Sequence, residues 1–127
     1  MFDIDKFKNI NDTYGHDVGD EVLYNISQLI VKNIRSLDVI GRYGGEEFLI
    51  ITPNANIKQA YTLCEKLQTV LRENLMAKIL EKNCTVSFGI SEYKDQKDPQ
   101  LMLKEADEQL YLAKENGRNQ IYPKVNV

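Results

Sequence analysis

Cysteine, long apolar runs and net positive charge are all scarce in this chain, and each scarcity removes a class of protein. The two cysteines, Cys64 and Cys84, stand apart without metal-ligand spacing, so disulfide scaffolds and zinc ribbons are poor readings. Both fit better as small buried hydrophobes. No uninterrupted apolar stretch approaches the ~18 to 20 residues of a membrane span, and no charged-then-apolar leader opens the sequence. The expected setting is therefore the cytoplasm. Acidic side chains outnumber basic ones, 19 to 16, for a formal charge of −3. Without a net positive field there are few phosphate counterions to release, which argues against broad nucleic-acid binding. Repeats, low-complexity tracts and internal linkers are missing as well. What is present is an ordinary globular composition, 127 residues with 43% hydrophobic, enough for one domain that buries roughly two thirds of its unfolded surface.

Hydrophobic spacing divides the chain into alternating elements. Met1 to Asp5 alternates as the end of a strand. Phe7, Ile10 and Tyr14 form the stripe of a short helix, with Asp5 as its expected N-cap and Gly15 as its stop. Val22, Ile26, Leu29 and Ile30 carry a second helix from Val18 to about Ile34, for which Asp17 is the expected cap. Val39 to Tyr43 and Phe48 to Thr52 are β-rich segments either side of Gly44-Gly45-Glu46-Glu47, the pattern of a hairpin. Pro53 and Asn54 precede a long amphipathic helix marked by Ile57, Ala60, Leu63, Cys64, Leu67, Val70 and Leu71, ending between Leu75 and Lys82. Thr85, Val86, Phe88, Ile90 and Tyr93 suggest a strand, with Gly89 marking a bulge or a close backbone approach. Asp98 and Pro99 form an N-cap and N1 pair for a last helix striped by Met102, Ala106, Leu110 and Ala113 and stopped by Gly117. Gln120 to Tyr122 is a final short strand. The order implies an α+β fold, an α/β sandwich of the split βαβ kind.

The hairpin tip is where stability alone explains least. Two glycines leave room for a bulky anionic ligand to approach the backbone, and adjacent carboxylates repel unless a cation sits between them. Asp3 and Asp5 form a second acidic pair, on one face of the strand with Ile4 on the other. Asp5 then either joins a metal site or caps the helix. Oxygen ligands without histidine or thiolate suit a hard ion, Mg²⁺ with Mn²⁺ as a substitute. Taken singly, either acidic pair reads as solvated surface.

The pentapeptide Gly44-Gly45-Glu46-Glu47-Phe48, however, is expected by chance in a chain this long only on the order of once in ten thousand. It resembles the signature of the GGDEF family, the diguanylate cyclases, in its variant with glutamate at the third position. Asp3-Ile4-Asp5-Lys6-Phe7-Lys8-Asn9-Ile10-Asn11-Asp12-Thr13-Tyr14-Gly15-His16, followed by Gly19-Asp20, resembles the family's first motif, and Lys114-Glu115-Asn116-Gly117-Arg118-Asn119 its last. The resemblance implies a central, mostly antiparallel sheet wrapped by helices, similar to nucleotide cyclases. It implies condensation of two GTP into cyclic di-GMP with release of two pyrophosphates. Carried over by position, Asp3, Glu46 and the Ile4 carbonyl would hold Mg²⁺ against the phosphates, and Glu46 or Glu47 would be the base for the 3′-hydroxyl. Asn11 and Asp20 match guanine-reading positions, where a carboxylate can accept from the paired N1–H and N2–H₂ donors. Lys8, Lys114 and Arg118 match phosphate contacts, and Gly44 and Gly45 the ligand's approach. Each also has a plainer reading: Asn11 as a turn former, Asp20 as a helix first-turn residue, Lys114 and Arg118 as cations favoured near a helix C-terminus. His16 and Tyr14 read as structural, Asp12 and Asn119 as turn-fixing residues.

Arg35-Ser36-Leu37-Asp38 stands five residues before Gly44 and resembles the family's RxxD product-inhibition site. By itself such a pair is a surface contact worth little. The reaction also demands two domains facing each other, because each 3′-hydroxyl attacks the other GTP, so a homodimer is implied. The stretch resembling D-x-L-T-x-L-x-N-R, with its helix and the early part of the first strand, is absent, which implies a GGDEF domain over residues 1–127 truncated at its N-terminus. Two other readings remain open: a catalytically silent domain that binds GTP or cyclic di-GMP as a sensor, and an inactive fragment.

Overall fold

The computed structural model describes residues 1–78 and 85–126. The elements run β1 (Phe2–Ile4), α1 (Phe7–Tyr14), α2 (His16–Asn33), β2 (Val39–Arg42), β3 (Glu47–Ile51), α3 (Ile57–Lys78), β4 (Val86–Gly89), α4 (Pro99–Glu115) and β5 (Ile121–Tyr122). Five strands form one sheet in the order β2-β3-β1-β4-β5. All pairings are antiparallel except β4 with β5. The mostly antiparallel sheet with helices against it is the expected architecture. The expected loop-side end of α3 and Cys84 lie outside the described residues.

β1 has only 3 residues, yet it is the middle strand. Phe2 lies between Phe48 on β3 and Phe88 on β4, and both ring pairs have centroids 5.1 Å apart. This aromatic row sits at the centre of the larger core, covered by Phe7 and Ile10 of α1, Val22, Ile26 and Ile30 of α2, and Leu67 and Leu71 of α3. Alternation then sends the neighbouring positions to the opposite face. There Leu49 packs with Met1 and with Ala106 and Leu110 of α4. Three helices therefore cover one face and α4 the other.

Two helix ends agree with the sequence. Asp98 accepts from the Gln100 N–H and Pro99 opens α4. Gly15 closes α1 at φ 95°, its N–H donating to the Asn11 carbonyl. The expected caps Asp5 and Asp17 are corrected: Lys6, with no side-chain cap bond, precedes α1, and Gly15 precedes α2 with Asp17 inside its first turn. Asp17 still favours the helix through the dipole, while Asp5 is drawn away by tertiary partners described below. Cys64 is half-buried against the larger core, and burial pushes its thiol up to about 12, so it behaves as the small hydrophobe expected.

Gly89 is a close approach, not a bulge. A Cβ there would stand 2.2 Å from the Ala106 carbonyl oxygen and 2.3 Å from the Leu110 nitrogen, both backbone atoms of α4. Only glycine lets α4 lie this close to β4. Gly89→Ala is therefore expected to cost about 3 kcal/mol through overpacking, read as a lower urea midpoint with an unchanged slope; a loss below about 0.5 kcal/mol would mean that α4 can shift freely on the sheet.

Candidate active site

The α4 face of the sheet carries the acidic residues, because the same alternation that points Phe2 and Ile4 into the larger core turns Asp3 the other way. Asp3 is paired in register with Glu47 on β3 and Ser87 on β4. Its side chain is almost fully buried. The last turn of α4 delivers Lys114 to it, with Lys114 Nζ 2.5 Å from Asp3 Oδ2 across 111 residues of sequence. The other carboxylate oxygen, Oδ1, is buried and has no partner among the described residues. Burial raises the Asp3 pKa above the usual carboxylate value; Lys114 opposes that rise, while Asp5 and Glu46 add to it.

Asp5 is neither a cap nor free to hold an ion. Buried at the end of β1, it accepts from the Thr85 hydroxyl at 2.5 Å, the Ser87 hydroxyl at 2.6 Å and the Asn119 N–H at 3.0 Å. The Asn119 side chain is held in turn by Gln68 of α3. Arg118 and Asn119 both adopt left-handed backbone, φ 63° and 52°, so Asp5 fixes the turn that carries Arg118 beside Lys114. That role was not read from the sequence. The available signal was Thr85-Val86-Ser87-Phe88, whose hydroxyls fall on the face opposite its apolar residues, the same face as Asp3.

The hairpin tip is exposed at both glycines. Tyr43 and Gly44 N–H groups donate to the Glu47 carbonyl, and Arg42 donates to the Gly45 carbonyl. Neither glycine has a positive φ, and a Cβ at Gly45 would meet nothing within 4 Å. The fold thus makes no demand for glycine at this tip. Among the described residues, no three carboxylate, imidazole or thiol side chains converge closely enough to hold an ion by themselves. A cation here would need main-chain or ligand oxygens as well, and the orphaned Asp3 Oδ1, on a carboxylate that feels the Glu46 charge, is a fitting first ligand.

Asn11 packs against Gly19, the residue before Asp20. A Cβ at Gly19 would lie 1.8 Å from Asn11 Oδ1 and 3.2 Å from Phe7 Cζ, so the glycine is what allows the Asn11 side chain to lie against α2. Lys8, Arg118 and His16 are exposed, and Tyr14 packs against the core. Only two ion pairs form among the described residues, Lys114–Asp3 and Arg35–Asp38, so Lys8 and Arg118 are exposed cations without an ion pair among those residues.

The second pair is more than a surface contact. Asp38 is buried and accepts from Arg35 Nη2 at 2.9 Å, Nε at 3.1 Å and the Arg35 backbone N–H at 2.8 Å, which holds its carboxyl below the ordinary range. Arg35 also donates to the Pro53 carbonyl at 2.7 Å. A cavity of about 380 Å³ opens beside the pair, lined by Lys32, Arg35, Asp38, Thr52, Gln59 and Lys66 among others.

Residues 1–120 match the sequence profile of the diguanylate cyclase GGDEF domain. The chain belongs to the GGDEF family. It is 40% identical to the response regulator PleD of Caulobacter vibrioides over 98% of this chain and 28% of that protein, and 40% identical to diguanylate cyclase A of Treponema denticola over 95% and 33%. It thus spans about a third or less of these curated relatives. Among solved structures, the active GGEEF domain of a Vibrio cholerae diguanylate cyclase superposes with a TM-score of 0.86 at 35% identity, covering 98% of this chain and 81% of that one. The GGDEF domain of DgcB from Caulobacter crescentus, in complex with c-di-GMP, gives 0.85 at 32% identity, covering 94% and 72%. The GGDEF resemblance read from the three motifs is therefore correct, as is the cyclase-like fold.

The buried Asp3 carboxylate yields a test of this geometry. A carboxylate whose folded pKa is raised stabilises the fold only while protonated, so its contribution is complete below the unfolded pKa and is lost as pH rises through the folded value. Asp3→Asn is expected to raise the Tm of the ligand-free chain at pH 7 and to flatten that loss as pH rises above the ordinary carboxylate value, read by calorimetry. A lower Tm for the variant would mean that the Lys114 pair outweighs desolvation.

Proposed function

We propose that this chain is the catalytic part of a Mg²⁺-dependent diguanylate cyclase that condenses two GTP into cyclic di-GMP and two pyrophosphates. The observation that carries the reading is the meeting, on the α4 face, of the half-orphaned Asp3, the acidic hairpin tip and Lys114, beside two glycines that the fold itself does not require. Asp3, Glu46 and the Ile4 carbonyl would hold Mg²⁺, with Mn²⁺ as a substitute. When bound, the ion would neutralise the charge that develops as pyrophosphate leaves. Lys8, Lys114 and Arg118 bind the phosphates, and Gly44 and Gly45 let them reach the backbone. Asn11 and Asp20 select guanine by taking its adjacent donors, which adenine does not offer together. Glu46 or Glu47 removes the proton of the attacking 3′-hydroxyl.

One domain holds one GTP, so two copies must face each other, and turnover should depend on dimer concentration. The working place is the cytoplasm. Arg35 and Asp38 would grip cyclic di-GMP at the 380 Å³ cavity and restrain catalysis from a distance. The pre-formed Arg35–Asp38 pair favours that inhibitory role.

Two assays check the proposal. GTP with Mg²⁺ should yield cyclic di-GMP, and Glu46→Ala should reduce turnover by at least a hundredfold; unchanged product formation would remove Glu46 from the site. Arg35→Ala should weaken inhibition by added cyclic di-GMP at least tenfold in the same assay. Calorimetric binding of cyclic di-GMP by a chain that never turns over GTP would instead select the silent sensor.

A further inference from the structure

Lys114 and Asp3 suggest how the site treats metal before nucleotide arrives. The ammonium lies 2.5 Å from Asp3 Oδ2, in a pocket where the carboxylate is almost fully buried and Lys114 is one-third exposed. A Mg²⁺ or Mn²⁺ ion on the same carboxylate would stand at roughly 2.1 Å from an oxygen, close to the ammonium and screened from it by little water. The two cations repel, and among the described residues no third anionic side chain converges to offset them. Lys114, one-third exposed, gives up Asp3 most readily when another anion is there to take its ammonium.

We propose that Lys114 is a placeholder cation: it occupies Asp3 in the empty site, blocks binding of metal alone, and releases the carboxylate only when a triphosphate arrives to take the ammonium. The idea rests on the cyclase reading for the identity of the metal and nucleotide. Asp3 supplies the trapped anion, and its partnerless Oδ1 marks the side left for the ion. Arg118, one turn beyond Lys114 and held by the Asp5-anchored loop, has no ion-pair partner among the described residues, so it can make the first phosphate contact while Lys114 is still engaged. Metal and nucleotide then enter as one unit, and by reciprocity each strengthens the other. Lys114 acts here as a positioning residue through Asp3, besides its contact with phosphate.

The test measures Mn²⁺ binding to the nucleotide-free chain by electron paramagnetic resonance at pH 8. Lys114→Gln should bind Mn²⁺ at least tenfold more tightly than the wild type, and Lys114→Met, which keeps the apolar stem, should do the same. Lys114→Arg retains a cation on Asp3 and should remain weak. Adding Asp3→Asn to Lys114→Gln should abolish the gain. Because an unpaired buried carboxylate destabilises a fold, Lys114→Gln should also show a larger rise in Tm on adding Mn²⁺ than the wild type. If neither Lys114→Gln nor Lys114→Met binds Mn²⁺ more tightly, the placeholder is refuted. In that case, Mn²⁺ binding by the wild type with a non-reactive GTP analogue present would leave the cyclase reading standing. No Mn²⁺ binding with the analogue would overturn both.

Discussion

A carboxylate buried in the middle strand of the sheet is the constraint around which this domain is arranged. Asp3 lies on β1 between two hydrogen-bonded neighbours, with almost no solvent to stabilise its charge. In such a position a carboxylate must be protonated, paired, or given a metal. Lys114 supplies the pairing in the ligand-free chain, and it can do so only because α4 runs close over β4 and ends beside β1. That course depends in turn on Gly89, whose missing side chain leaves room for the backbone of Ala106 and Leu110. A glycine on one strand and a lysine on a distant helix thereby determine the state of an aspartate on another strand.

Asp5 shows a second solution to the same problem two residues away. Its charge is met by two hydroxyls and a backbone N–H instead of a cation, which ties the C-terminal turn to the central strands. The two aspartates have opposite consequences. Asp5 is fully engaged and works as an anchor, whereas Asp3 retains a buried oxygen without a partner among the described residues. Arg35 and Asp38 form a third charged arrangement at the far end of α2, where multiple hydrogen bonds hold the arginine in place at the mouth of a cavity. An arginine already oriented loses less freedom when it meets an anionic ligand.

Much of the fold was legible from periodicity, because the stripe of α2, the Asp98-Pro99 start of α4 and the alternation of β3 depend on neighbours a few residues away. The cap predicted at Asp5 failed for a matching reason. A cap is a local option for a short polar side chain, and distant donors at Thr85, Ser87 and Asn119 offered Asp5 more hydrogen bonds than the start of α1 could. The candidate site residues were legible as motifs, but their partnerships were not. Nothing near Lys114 in sequence points to Asp3, and the seat of the Asn11 side chain against Gly19 becomes visible only in the folded chain.

The sequence by itself determined the identity of the domain: three motifs in family order, the acidic hairpin, the apolar stripes of its helices and the absence of a basic or membrane-spanning character. These are properties of residue type and short-range spacing, which the chain carries whether folded or not. Tertiary structure alone decided which carboxylate is anchored and which is available, where the lysine rests, and that Gly89 is a packing contact. Those outcomes depend on desolvation and on groups more than a hundred residues apart, and charges separated that far along a chain acquire a fixed distance only when the sheet and helices close around them.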